Sequence, residues 1–161
     1  MNFESRNPAT GELLAVYPEH DEVEINTRLQ RAWDGWRHWS RTPLKERTAF
    51  LTRLAKLLDP RVGTYGRLIT AEMGKPLGDA ISEIEKSAMA ARHFAEMGES
   101  YLRPQPVAGL QAQIMYESLG PILSIQPWNL PFLAGAALLQ YCGIGRQHRY
   151  HQACRDGAGF G

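Results

Sequence analysis

Two side chains that could do chemistry, Trp128 and Asn129, stand between the prolines Pro127 and Pro131. They follow a compact apolar run, residues 121–126, which is typical of a buried strand. The pattern predicts a rigid turn at the carboxyl end of a strand, which is where open α/β sheets bind ligands. The Asn129 carboxamide could there donate an N–H to a developing oxyanion without adding a charge. The same pattern also fits a proline-bounded turn around a buried tryptophan.

A second group with possible chemistry is the run of residues 72–75, in which Glu72 and Lys75 flank a methionine and a glycine. The two charged side chains could form an ion pair at a site. The alternative is the end of a helix, with Gly74 as the C-cap and both charges in solvent. We favour the helix end and assign this run no chemistry.

The composition restricts the class of protein. With 161 residues, 43% hydrophobic content and a net charge of +1, the chain suits one globular domain and gives no electrostatic reason to expect nucleic acid or an acidic membrane. No apolar run approaches the ~20 residues of a membrane span, and the first residues lack a signal-peptide pattern. Two cysteines make no disulfide framework. We expect a soluble, cytoplasmic protein with neither nucleic-acid nor membrane partners.

The first forty residues predict a hairpin and a helix. Residues 3–8 and 13–17 favour extended structure on either side of a turn in which Gly11 supplies backbone freedom. Asp21 followed by Glu24 is typical of a capping box at a helix start. Apolar residues then recur at helical spacing and should form a buried face. These are Ile25, Leu29, Ala32, Trp33 and Trp36, and Trp39 adds a third tryptophan to what we interpret as a packing anchor.

Three further helices are predicted. Thr42 and Pro43 indicate a helix start, with the threonine hydroxyl as N-cap. The next helix should end at Gly74, and a long one should cover residues 76–98. The side chains expected to pack inward are Phe50, Leu54, Leu57 and Leu58 in the first, Tyr65, Leu68, Ile69 and Met73 in the second, and Leu77, Ala80, Ile81, Ile84, Ala88 and Ala91 in the third.

Glycines and prolines mark the weak points of this helical pattern. Gly63 and Gly66 each cost their helix up to ~1 kcal/mol in intrinsic propensity, so tertiary packing must hold it. Pro104 and Pro106 predict a linker, and residues 112–118 after it are typical of an arm or edge strand. The predicted order is therefore a hairpin, four helices, an arm strand and one core strand.

Three runs of the sequence resemble the NAD(P)-dependent aldehyde dehydrogenase family. They are Asn7-Pro8-Ala9-Thr10-Gly11-Glu12, Glu72-Met73-Gly74-Lys75-Pro76 and Gly120-Pro121-Ile122-Leu123-Ser124-Ile125-Gln126-Pro127-Trp128-Asn129-Leu130-Pro131, with Glu83 and Lys86 between the last two. They occur in the family's order and span residues 7–133. The last run is similar to the turn that carries the family's cofactor contacts and oxyanion donor. Among subfamilies, the sequence most resembles the bacterial succinate-semialdehyde dehydrogenases.

The resemblance implies an α/β fold, namely the amino-terminal part of the aldehyde dehydrogenase fold up to the first strand of a Rossmann-like sheet. It implies NAD or NADP as cofactor and oxidation of a small aldehyde, succinate semialdehyde above all, to the carboxylic acid. In this family a cysteine thiolate attacks the aldehyde, hydride passes to the nicotinamide, and an activated water hydrolyses the thioester. Asn129 matches the oxyanion donor, and the positions matching the nicotinamide side of the cofactor groove are Ile125, Gln126, Pro127 and Trp128.

After about Gln140 the resemblance stops. Residues 142–154 show no amphipathic period. Back-translated and read from the second base of each codon, these thirteen residues permit the string Ala-Ala-Ser-Ala-Gly-Asn-Thr-Val-Ile-Ile-Lys-His-Ala, which resembles the family's next strand. We therefore expect residues 1–140 to be the amino-terminal portion of the cofactor-binding domain and residues 141–161 to be a non-homologous, out-of-frame tail.

The tail also contains residues with the spacing of metal ligands, namely Cys142, His148, His151 and Cys154. A shifted frame produces such clusters by accident, and no hydrophobic framework surrounds this one, so we predict no metal site; a zinc-binding tail is the alternative. Nothing near either cysteine positions a base or an oxyanion donor, so neither is predicted as the catalytic thiol.

By the resemblance, the family's nucleophilic cysteine and general-base glutamate lie beyond residue 161. We therefore expect this chain alone to bind no cofactor and to turn over no aldehyde. We also expect marginal stability, because a single core strand lacks hydrogen-bonding neighbours. The alternative function is a non-catalytic interaction module, in which the helices and the arm strand associate with a second copy or with a full-length family member.

Overall fold

The computed structural model describes residues 2–145 and 149–152. In chain order its elements are β1 (Asn2–Arg6), β2 (Leu13–Pro18), α1 (Glu22–Trp39), α2 (Leu44–Leu58), a short 3-10 turn (Asp59–Arg61), α3 (Val62–Met73), α4 (Leu77–Leu102), β3 (Gln105–Pro106), β4 (Gln113–Ile114), β5 (Ile122–Ile125), α5 (Leu133–Ile144) and β6 (Arg149–Gln152). The mixed α/β class and the order of hairpin, four helices, arm strand and core strand are confirmed. Helix α5 and strand β6 are additional to the predicted elements. None of the helices in the described ranges is long and apolar enough to cross a membrane.

The β1–β2 hairpin forms as predicted and docks on the end of α3. Gly11 adopts a left-handed φ of 74° in the turn. Ser5 of β1 is buried, and its hydroxyl donates a hydrogen bond to the carboxylate of Glu72 at 2.8 Å. Pro8 lies so close to Gly74 that a Cβ on that glycine would stand 3.1 Å from Pro8 Cγ. A buried hydrogen bond and the close approach of Pro8 to Gly74 therefore place the hairpin against the carboxyl end of α3.

The hydrophobic core lies where α2, α3 and α4 meet, with a contribution from the residues just before α5. Helix α4 buries one continuous face, as its periodicity predicted, although it continues four residues past the predicted end at Gly98 to Leu102. Gly66 lets α3 approach α4 closely, because a Cβ there would stand 2.8 Å from Ile81 Cγ1. The core cluster comprises Leu58, Ile69, Ala80, Ile84 and Ala88, with Leu54, Val62, Tyr65, Met73 and Phe132 packed against it.

Of the two predicted helix caps, the one at the start of α1 is confirmed and the one at the start of α2 is wrong. The Asp21 side chain accepts the N–H of Glu24 at 2.8 Å, so the predicted cap of α1 is confirmed. Thr42 does not cap α2. Its hydroxyl donates to the carbonyl of His38 in the last turn of α1 at 3.2 Å, and Pro43 occupies the cap position of α2 without a side-chain hydrogen bond.

Parts of the predicted buried faces are wrong. In α2 the buried face includes Leu51 and Arg47, whose Nε donates to the carbonyl of Thr42 at 3.1 Å. An arginine therefore takes an interior position that the predicted apolar face did not include, and the buried face is rotated accordingly. In helix α1 only Ala32 is fully buried. The predicted interior side chains that are instead exposed are Ile25, Leu29, Trp33, Phe50, Leu57 and Leu77.

The segment that leads into β5 is anchored on α1. The indole N–H of Trp36 donates to the Ser118 hydroxyl at 2.7 Å, and the rings of Trp33 and Trp36 pack edge to face with centroids 5.6 Å apart. Gly120, at a φ of 111°, lies beside the Trp33 ring. The tryptophans thus do provide a packing anchor. The predicted strand of residues 112–118 shortens to β4, which pairs with β3.

Strand β5 has a parallel neighbour, so the expectation of one core strand without hydrogen-bonding partners is wrong. It pairs with β6 in a register that runs from Ile122 opposite Arg149 to Ile125 opposite Gln152. One face of β5 is buried at Ser124, whereas Leu123 and Ile125 on the other face are exposed. The strand is therefore buried on one side only. The out-of-frame origin of residues 141–161 stays a prediction.

Candidate functional site

The candidate site is the turn between β5 and α5, residues 126–132. Strand β5 ends at Ile125 and α5 begins at Leu133. Trp128 and Asn129 therefore lie at the carboxyl end of a parallel strand, where the sequence predicted them. Both residues are exposed, Trp128 to 56%. The structure thus excludes the alternative of a turn built around a buried tryptophan.

The apolar positions around Asn129 form an open surface. Ile125, the last residue of β5, is 75% exposed, and Pro127 is exposed as well. Gln126 is half-buried, and its side-chain amide donates a hydrogen bond back to the Ser124 hydroxyl. A neutral carboxamide with two N–H donors thus stands next to exposed apolar groups. Such a surface can receive a planar ring beside a group that carries developing negative charge.

Two charged side chains from distant parts of the chain hold this turn. Glu83 of α4 is 3% exposed, and its Oε1 accepts the backbone N–H groups of Phe132 at 2.8 Å and Leu133 at 2.9 Å. Its Oε2 forms an ion pair with Lys75. Lys75 Nζ also donates to the backbone carbonyl of Asn129 at 3.4 Å. We call these two side chains the Lys75–Glu83 pair.

The structure corrects the interpretation of residues 72–75. Gly74 caps α3 in a left-handed conformation with a φ of 68°, as predicted. The two charges, however, are neither paired with each other nor in solvent. Glu72 is buried against Ser5, and the Lys75 side chain is only 20% exposed beside Glu83. The partner of Lys75 is instead Glu83, eight residues further along the chain. Glu83 belongs to the family pattern, but the sequence alone assigned it no role and no partner.

Cys142 lies far from the turn along α5. Cys142 lies in the last turn of α5, which at 1.5 Å per residue is roughly 14 Å along the helix from Leu133. His148 and Cys154 lie outside the described residues. Within the described part of the chain, no group of three or more His, Cys, Asp or Glu side chains could hold a metal ion.

Comparison with known proteins adds a sequence match over most of the chain. Residues 1–140 match the profile of the aldehyde dehydrogenase family. The chain is 36% identical over 134 residues to a probable succinate-semialdehyde dehydrogenase (NADP(+)) of Synechocystis sp., covering 82% of this chain and 30% of that protein. It is 40% identical over 146 residues to the succinate semialdehyde dehydrogenase (NAD(P)+) Sad of Escherichia coli, covering 88% of this chain and 32% of the relative.

The fold agrees with that match. The crystal structure of succinic semialdehyde dehydrogenase from Streptococcus pyogenes, in complex with NADP+, superposes with a TM-score of 0.90 at 23% identity. The superposition covers 96% of this chain and 35% of that one. The chain therefore spans about a third of the length of the proteins it matches.

Proposed function

Because this chain belongs to the aldehyde dehydrogenase family, we propose that it forms the amino-terminal part of the NAD(P)-binding domain of an enzyme that oxidises succinate semialdehyde to the carboxylic acid. The observation that carries the proposal is the exposed Trp128–Asn129 turn at the carboxyl end of β5. It lies within the family match, and the named relatives are succinate-semialdehyde dehydrogenases.

In this proposal Asn129 is the oxyanion donor. Attack of a thiolate on an aldehyde carbonyl places negative charge on the carbonyl oxygen, and a positioned N–H donor stabilises that charge more than it stabilises the uncharged substrate. A carboxamide is suited to this task because it donates without a charge of its own. The exposure of Asn129 and the anchoring of its backbone by Lys75 support the assignment.

The cofactor surface in this proposal consists of Ile125, Gln126, Pro127 and Trp128. The nicotinamide of NAD or NADP accepts the hydride when it is bound. The exposed apolar groups fit the nicotinamide side of such a cofactor. The start of α5 does not fit the pyrophosphate, because Glu83 already accepts the N–H groups of Phe132 and Leu133. We therefore expect these 161 residues alone to hold NAD(P) too weakly for turnover.

The first test uses the purified 161-residue chain with succinate semialdehyde and either NAD+ or NADP+. We expect no reduced nicotinamide above the buffer control, because the sequence places no cysteine in residues 1–141 and α5 carries Cys142 away from Asn129. Aldehyde-dependent reduction by the purified chain would overturn this part of the proposal.

The second test supplies the missing groups. Residues 1–140 replace the matching segment of the Escherichia coli relative, and the chimera is assayed for aldehyde-dependent reduction of NAD(P)+. We expect an active chimera in which Asn129→Ala lowers kcat by about 10²–10³-fold. Gln113→Ala, which removes an exposed carboxamide on β4, is the matched control and should leave kcat unchanged. An Asn129→Ala chimera as active as the control would refute the oxyanion assignment.

A second candidate function is a non-catalytic interaction module. Large exposed apolar patches on a protein surface are typical of contacts with other proteins. The arm around β4 has such a surface, formed by Leu110, Ile114, Met115, Tyr116 and Leu119. We infer a second copy or a full-length family member as partner. This function is supported if the chain self-associates in analytical ultracentrifugation, or co-purifies with the Escherichia coli relative, and if Met115→Glu abolishes that association. A monomer that fails to co-purify contradicts it.

A further inference from the structure

The first turn of α5 has an unusual occupant. The first N–H groups of a helix have no partners within the helix, and with the helix dipole they attract anions. In many α/β proteins the anion at this position belongs to a bound ligand. Here it is the carboxylate of Glu83, a residue of α4, which accepts from both Phe132 and Leu133.

Because Glu83 is buried, its hydrogen bonds to the start of α5 depend on the positive charge of Lys75 beside it. The Glu83 side chain is 2% exposed, and a buried carboxylate is stable only when it is paired and hydrogen-bonded. Both of its oxygens are used, Oε1 by the two backbone N–H groups and Oε2 by Lys75. Hydrogen bonds to charged groups are about twice as strong as neutral ones.

The Lys75–Glu83 pair contacts the turn in its middle, at Asn129, and again at its junction with α5. Lys75 reaches the carbonyl of Asn129, and Glu83 reaches the N–H groups of Phe132 and Leu133. Trp128 and Asn129 therefore project from a backbone that is fixed by groups more than forty residues away in sequence. Neither member of the pair needs to touch a ligand to have this effect.

We propose that Glu83 is a positioning residue: it acts as an internal anion at the start of α5 and, with Lys75 as counter-charge, fixes the turn that presents Trp128 and Asn129. The importance of this role for catalysis rests on the proposed function. The positioning itself is a property of the unliganded chain and is tested without cofactor or substrate.

The experiment is fluorine NMR of the 161-residue chain labelled with fluorotryptophan. The chain has 4 tryptophans, so four resonances are expected, and Trp128→Phe assigns the one of interest. Glu83→Gln and Lys75→Met should each shift the Trp128 resonance and leave the other three in place. Glu85→Gln, which neutralises an exposed carboxylate on the same helix, is the control and should shift none. The proposal is wrong if the Trp128 resonance keeps its wild-type position in both variants, or if all four resonances move together.

Chemical rescue distinguishes the effect of the negative charge of Glu83 from the effect of the rest of its side chain. In Glu83→Ala, formate should return the Trp128 resonance toward its wild-type position, whereas chloride at the same ionic strength should not. A folded Glu83→Ala protein that does not respond to formate would contradict the internal-anion role. If Glu83→Ala does not fold, the Glu83→Gln and Lys75→Met spectra decide the question. Loss of the proposed function, seen as an active Asn129→Ala chimera, would leave these spectra unaffected.

Discussion

Gly66→Ala should destabilise this chain even though alanine is the better helix former. Gly66 lies where α3 crosses α4, and a Cβ there would stand 2.8 Å from Ile81 Cγ1 and 3.3 Å from the Ile81 backbone nitrogen. Carbon atoms in van der Waals contact are about 3.5–4.0 Å apart, so the helices would have to separate or Ile81 would have to move. The backbone nitrogen prevents the side chain from relieving all of the overlap.

The size of the effect follows from two opposing terms. Alanine in place of glycine stabilises a helix by about 0.8–1.0 kcal/mol through its higher helix propensity. An extra methyl group in a packed interior costs about 1–3 kcal/mol. Gly63→Ala on the same helix is the matched control, since its Cβ would meet only Arg67 Nη1 at 3.5 Å, an ordinary contact. The free energy of unfolding of the Gly66→Ala protein should therefore be lower than that of Gly63→Ala by about 1–3 kcal/mol.

Urea unfolding followed by circular dichroism measures this difference. The same comparison in an Ile81→Ala background, which lacks Cγ1, should give a smaller penalty for alanine at position 66. The reasoning is refuted if Gly66→Ala is as stable as Gly63→Ala, or if the penalty is the same with and without the Ile81 side chain.

Two further variants probe the contacts of the amino-terminal hairpin by the same urea assay. Gly74→Ala should lower the free energy of unfolding by about 1–2 kcal/mol, because its backbone is left-handed. The loss should exceed that of Gly11→Ala, which has a similar φ but no atom within 4 Å of an added Cβ, because an added Cβ at Gly74 would stand 3.1 Å from Pro8. Equal losses would show that the proximity of Pro8 is unimportant. Ser5→Ala should lower the free energy of unfolding by about 1–3 kcal/mol, because the buried Glu72 carboxylate loses its hydrogen-bond donor. An unfolding midpoint equal to that of the wild-type chain would contradict this prediction.

Features that depend on a few neighbouring residues were predictable from the sequence. The cap at Asp21, the left-handed glycines Gly11 and Gly74, and the strand–turn order around Asn129 all follow from short-range rules, and all occur in the structure. Thr42 is the informative failure. Its hydroxyl had two possible partners, the start of α2 and the end of α1, and it bonds to α1. The residue pattern around a threonine between two helices does not decide between them.

Features that depend on tertiary contacts were not predictable. The interior position of Arg47 and the exposed side of α1 are set by which elements meet, not by hydrophobic spacing. The Lys75–Glu83 pair is the clearest case, because its backbone partners at residues 132 and 133 lie 49 and 50 positions from Glu83. Charged residues on a helix are normally assigned to solvent. Only the three-dimensional arrangement identifies this carboxylate as a helix cap.

The bond between Ser5 and Glu72 has a consequence for biosynthesis. The two residues are 67 positions apart, so at 5–20 residues per second a ribosome needs on the order of 3–13 s to add the second after the first. During that interval the hairpin is a lone two-stranded ribbon, which is at best marginally stable in water. The hairpin of the growing chain therefore stays accessible to chaperones and proteases until the end of α3 has been made.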